Sequence, residues 1–160
     1  MMRVTGYTKT LAILPFDHRP SYISGLFGWK EPLNVEQALT VAESKRVIYE
    51  GFQKARISKE QAGILMNEQY GVGILREAAQ QGAITAIPVE KSGQNEFDFV
   101  YGDDFAKHIE AGQPTFAKAL VRYNPEGDRA LNQRQTRRLK RLSNYLHRPG
   151  RVPSARTHRS

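Results

Sequence analysis

Apolar residues fall in four short runs, at 11–16, 63–66, 84–89 and 116–121, and between the runs their spacing switches to that of helices. An apolar run without polar alternation is the pattern of a strand buried on both faces of a parallel sheet. Four strands are therefore predicted, the first of them covered on both sides. After it, Gly25-Leu26-Phe27-Gly28-Trp29 reads as loop, and Asn34 stands where it can cap a helix. That helix carries Val35, Ala38, Leu39, Val41, Ala42, Val47 and Ile48 at helical spacing and ends near Ala55. Ser58-Lys59-Glu60-Gln61 has capping-box spacing ahead of the second run. A turn through Gly71 and Gly73 leads into a short helix over 74–80, closed by Gly82. Asp103 or Asp104 can cap a helix over 105–111, which Gly112-Gln113-Pro114 stops, and a last amphipathic helix covers 131–146. Pro88 cannot donate to a ladder, so it belongs at the end of the third strand.

Strand and helix alternating four times predict an α/β fold with a parallel sheet. By themselves four βα units fit a small open sheet as well as part of a (β/α)8 barrel. In both architectures chemistry sits at the carboxyl ends of the strands. Each apolar run here ends in polar and charged residues: Phe16-Asp17-His18-Arg19, Asn67-Glu68-Gln69-Tyr70, Glu90-Lys91-Ser92-Gly93 and Arg122-Tyr123-Asn124-Pro125.

Composition narrows the chemistry. With no Cys, disulfides, thiolate catalysis and Cys-ligated metals are excluded. Among 160 residues the formal charge is +8, but nine of the 24 Lys and Arg lie in 134–160, where there is no acid, leaving 15 bases against 16 acids before it. The body is nearly neutral and the basicity belongs to the end. Residues 148–160, rich in Arg, Pro and Ser, have no apolar periodicity and read as a disordered basic tail rather than a fifth strand. Such a tail can be a nucleic-acid or lipid-binding arm, or the product of a shifted reading frame through GC-rich DNA. The frame-shift or truncation reading is preferred. Arg134, Arg137, Arg138 and Arg141, three and four apart, read as one solvated helix face. No apolar stretch suggests a leader or a membrane span, so a cytoplasmic protein without nucleic-acid or membrane partners is expected.

Individual residues carry more specific expectations. Lys118 lies inside an apolar strand, where a lysine is costly unless it is paired or functional. Residues two apart share a strand face, so Lys118 and Arg122 are expected to point the same way. Arg19 has the fork that binds phosphate or carboxylate, or else partners Asp17. Asp17, at a strand end, caps a turn or pairs with Arg19. Glu68, Glu90 and Lys91 are substrate contacts or members of strand-end ion pairs. His18 could act as a general acid, but a hydrogen-bonded strand-end histidine is commoner and it is left out of the catalytic set; His108, His147 and His158 carry no site signal.

Together the segments Leu14-Pro15-Phe16-Asp17-His18-Arg19, Ile64-Leu65-Met66-Asn67-Glu68-Gln69-Tyr70-Gly71, Val89-Glu90-Lys91-Ser92-Gly93 and Ala117-Lys118-Ala119-Leu120-Val121-Arg122-Tyr123-Asn124-Pro125 resemble the first four strand ends of class I sugar-phosphate aldolases of the tagatose-bisphosphate type. The resemblance is greatest to the 2-deoxy-5-keto-gluconate 6-phosphate aldolase-like domain, often fused to a sugar kinase in bacterial myo-inositol catabolism, and it runs over about 10–147. It implies the N-terminal half of a TIM (β/α)8 barrel, truncated after the fourth unit, and cofactor-free, metal-free cleavage of a keto-sugar phosphate through a lysine Schiff base. It assigns Asp17, relaying a proton or orienting the amine, and Lys118, assisting without forming the Schiff base, to catalysis; Arg19, Glu68, Glu90, Lys91 and Arg122 are expected to bind substrate. The Schiff-base lysine and a key glutamate belong to strands beyond His147. The isolated chain is therefore expected to be inactive and to self-associate through open sheet edges. The alternative is a non-catalytic sugar-phosphate-binding module.

Overall fold

The computed structural model describes Tyr7 and residues 9–148, and the tail expected over 148–160 lies, after Arg148, outside the described residues. Strands β1 (Ala12–Pro15), β2 (Ala62–Leu65), β3 (Ile84–Pro88) and β4 (Phe116–Lys118) form one parallel sheet in the order β1-β2-β3-β4. Helices α1 (Pro20–Phe27), α2 (Val35–Lys54), α3 (Glu68–Gln80), α4 (Phe105–Gly112) and α5 (Arg129–Leu146) alternate with them, α1 and α2 both following β1. The α/β class and the four βα units are as the sequence predicts. By internal contacts the chain divides between Thr85 and Ala86 into two compact units.

In the first unit β1 pairs with β2 in register from Ala12↔Ala62 to Pro15↔Leu65. The expectation that β1 is buried on both faces fails. All four of its residues are exposed, Ile13 and Leu14 by 38% and 37%, and only Phe16 just beyond the strand is buried. An apolar run reports suitability for burial, whereas coverage depends on neighbours, and β1 has a strand on one side only. The segment read as loop around Gly25 is the end of α1, which starts at Pro20, whose fixed φ suits a first helical turn, and stops at Gly28 with φ +68°. Asn34 caps α2 as expected, in a capping box: its side chain accepts from Gln37 N at 2.8 Å while Gln37 Oε1 accepts from Asn34 N at 3.1 Å. Residues 58–61 form a turn, Gln61 N donating to Ser58 O at 2.8 Å.

Helix α3 begins at Glu68, six residues before the predicted start, and takes Gly71 and Gly73 into its body. Glycine usually lowers helix propensity, but here packing explains one of the two. A Cβ on Gly71 would run into the Met66 side chain, so α3 can lie this close to β2 only with glycine there. Val41, Tyr49, Ile64, Met66, Tyr70, Ile74, Leu75 and Ala78 make the buried core of this unit.

The second unit pairs β3 with β4, Ala86↔Phe116 to Pro88↔Lys118, and Pro88 is the last strand residue, as expected. β4 is three residues long instead of six. Beyond Lys118 the chain leaves the ladder, and the main chain of Arg122 bonds to the Gln135 side chain on α5 instead of to a strand. Gln113, at φ +40°, closes α4, and Asp128 caps α5 by accepting from Ala130 N and Leu131 N at 2.8 and 3.2 Å. The expected solvated arginine face of α5 needs correction. Arg134 and Arg138 pair with Glu96, Arg138 also with Asp98, and Arg141 with Asp103 while its guanidinium lies over the Phe99 and Phe105 rings. Arg137 and Arg141 stay exposed as expected, so the correction concerns Arg134 and Arg138, which are half-buried. Phe97, Phe99, Phe105, Ile109, Leu142 and Tyr145 form the aromatic-rich core beneath.

Candidate functional site

The carboxyl ends of the strands carry the charged groups, and each unit holds its own set. In the first unit the β1–β2 ladder continues past the strands, Phe16 N donating to Leu65 O at 2.9 Å. Extending the register by two residues from Pro15↔Leu65 sets Asp17 level with Asn67 on neighbouring chains, whose main chains in a sheet lie about 4.8 Å apart. Met66 packs toward Gly71 of α3, and successive residues of an extended chain alternate, so Asn67 faces away from that helix. Asp17 and Arg19 are half-buried, and Glu68 is half-buried at the first residue of α3.

Two groups that the sequence reading passed over organise this end. Lys45, on the buried face of α2, is fully covered; its Nζ donates to Phe16 O at 2.6 Å and to His18 O at 3.0 Å and lies 4.5 Å from the centre of the Tyr22 ring. It clamps the main chain on both sides of Asp17. Burial lowers its pKa to about 8, the charge of Asp17 opposing this and that of Arg19 adding to it. Tyr70, in the first turn of α3, donates to Glu31 Oε1 at 2.9 Å and accepts from Gln69 Nε2 at 3.0 Å. Burial first, then the bond to Glu31 and its charge, push the phenol up to about 12, so it stays a donor across the physiological range. A signal for Lys45 existed, since it lies four residues from both Val41 and Tyr49 and so interrupts the buried stripe of α2.

In the second unit Glu90 and Lys118 form a cross-strand ion pair, Nζ to Oε1, with the Glu90 side chain 9% exposed and the Lys118 side chain 36%. The cross-strand pair is one of the alternatives that the sequence left open to Glu90. The chain after β3 folds back on it: Lys91 N donates to Asp98 O at 2.8 Å and Val100 N to Val89 O at 3.0 Å. Lys91 itself is exposed. Arg122, expected to share a strand face with Lys118, is exposed and lies past the end of β4. Gln135, wholly buried, holds this region: its Oε1 accepts from Phe97 N at 2.9 Å and Arg122 N at 3.1 Å, and its Nε2 donates to Arg122 O at 2.9 Å. No cluster of three or more His, Asp or Glu suited to a metal occurs among the described residues. Nor is any described helix long and apolar enough to cross a membrane.

The chain belongs to a family of uncharacterized proteins conserved in bacteria (DUF2090), which matches residues 2–151. No curated protein and no solved structure matches it.

Proposed function

We propose that this protein binds a keto-sugar phosphate, such as 2-deoxy-5-keto-gluconate 6-phosphate, at its strand ends, as the first four βα units of a class I aldolase-like (β/α)8 barrel. The observation that carries this reading is the Glu90–Lys118 pair at the ends of β3 and β4. An ammonium inside an otherwise apolar segment, held against a largely buried carboxylate, is a costly arrangement for stability alone. It is well suited to presenting a fixed positive charge to an oxygen that gains negative charge.

In Schiff-base cleavage an amine condenses with the ketone, and the iminium accepts the electron pair of the breaking carbon–carbon bond to become an enamine. The hydroxyl on the departing carbon gives up its proton to a base and leaves as an aldehyde. In this scheme Lys118 stabilises charge on substrate oxygens without being the nucleophile, and Asp17 relays a proton. Arg19, Glu68, Glu90, Lys91 and Arg122 contact substrate. The Schiff-base lysine is not among the residues assigned here, so binding without turnover is expected of this chain.

Titration calorimetry with 2-deoxy-5-keto-gluconate 6-phosphate tests the reading. Binding to the full chain is expected, with at least a tenfold loss of affinity in Lys118→Met, equivalent to about 1.4 kcal/mol. Absence of binding overturns the proposal. Release of a triose phosphate by this chain alone would overturn the division of labour, because it requires a Schiff-base lysine within these residues.

A further inference from the structure

Asn67 is 2% exposed, and neither its amide nitrogen nor its amide oxygen has a hydrogen-bond partner among the described residues. The usual local reasons for an asparagine do not apply. It occupies the N-cap position of α3 but makes no capping bond, and its φ of −77° and ψ of 149° are open to any residue, so no left-handed turn requires it. A buried amide with both ends unmet costs stability, and an apolar side chain of the same shape in its place is neutral or better. Gln135 shows the contrast, since both ends of its amide are bonded in the second unit. The cost at Asn67 falls at the carboxyl end of a parallel strand, level with Asp17 and on the sheet face away from α3, where a β/α protein meets its ligand.

We infer that Asn67 is a ligand-reading residue whose amide pairs with a hydroxyl group on the carbon chain of the sugar. This rests on the keto-sugar phosphate reading above. An amide donates and accepts at once, as a hydroxyl does, whereas a phosphate dianion only accepts and would leave Oδ1 facing a negative group. The neutral, hydroxylated part of the ligand is therefore the part read here. A group reaching this amide displaces whatever covers it and is matched in a dry setting, where discrimination against a missing hydroxyl is strong.

The test uses the full chain with Asn67→Leu, nearly the same shape, and Asn67→Met, whose flexible side chain guards against a clash peculiar to leucine. Melting temperatures are measured, and both variants are titrated with 2-deoxy-5-keto-gluconate 6-phosphate and with inorganic phosphate. Asn67→Leu is expected to melt higher by about 2–4 °C. It should also bind the sugar phosphate at least about tenfold more weakly while inorganic phosphate binds as in the wild type. A lower melting temperature in both variants shows a structural amide and overturns the inference. So does an unchanged sugar-phosphate affinity where the wild type binds. If the wild type itself binds no keto-sugar phosphate, the functional reading fails separately. The melting arm then still decides whether the amide is structural, a rise in Asn67→Leu showing that it is not and a fall in both variants removing the inference.

Discussion

Two buried carboxamides, one in each unit, behave in opposite ways. Gln135 spends both ends of its amide on main-chain groups of Phe97 and Arg122, fastening two irregular segments to α5. Asn67 spends neither. Both are apolar-environment positions by burial, so the hydrophobic effect does not separate them; the availability of partners does. A buried amide that is fully bonded holds a loop in place, and one that is not marks a place where stability was given up for something else. The second unit uses its buried polar groups for architecture around Glu90–Lys118. The first leaves one unmet at a strand end.

Breaking the architectural half should have the largest effect. Gln135→Leu removes partners from Phe97 N–H, Arg122 N–H and Arg122 C=O together, and a loss of about 4 kcal/mol in urea unfolding is expected at 1–3 kcal/mol for each buried orphan. Gln135→Glu keeps the acceptor for both N–H groups and should lose less. A stable Gln135→Leu would erase the contrast with Asn67.

Lys45 comes next, because it is the first unit's own clamp. Its pKa of about 8 lies below the ordinary 10.5, so between these values the unfolded chain binds more protons than the folded one. Stability therefore rises with pH across that window. Below pH 8 the buried charge costs up to about 3 kcal/mol relative to pH above 10.5, at 1.36 kcal/mol per pH unit. Urea unfolding of the wild type and Lys45→Met at pH 7 and pH 10 should show the wild type gaining relative to the variant as pH rises. A parallel pair of profiles would mean that burial does not oppose the charge, in spite of the two carbonyls and the Tyr22 ring around it.

The smallest effects serve as a control on the comparison. Asn34 caps α2 and Asp128 caps α5, one helix in each unit. Asn34→Ala and Asp128→Ala should each cost about 1 kcal/mol in thermal or urea unfolding. Equal losses would show that the units respond alike to a like lesion, leaving the two amides as the source of their difference. Strongly unequal losses would mean that one unit is simply weaker.

Much of the fold was legible along the chain. The third run needed only its final residue trimmed, Asn34 capped its helix, and the stop after α4 fell at Gln113, because periodicity, capping and chain reversal depend on residues within a turn or two of one another. Some of the misreadings trace to packing. Gly25, Gly71 and Gly73 looked like breaks and lie within helices, in the case of Gly71 because Met66 leaves no room for a side chain. The exposed β1 and the shortened β4 likewise depended on what lies alongside them. Of the candidate site residues, Lys118 was conspicuous as a charge in an apolar run, and its expense predicted a partner. Which partner was not readable, since Glu90 is 28 residues away.

The order of the strands, the parallel α/β class and the concentration of charge at strand ends were thus determined by sequence alone, through forces that act between near neighbours. Tertiary structure decided which buried polar groups are satisfied. Lys45 reaches carbonyls 29 and 27 residues away and Gln135 a main-chain amide 38 residues away, while Asn67 meets none among the described residues. A hydrogen bond needs its partner within about 3 Å in space, whatever the distance along the chain, and only the folded arrangement supplies that proximity or withholds it.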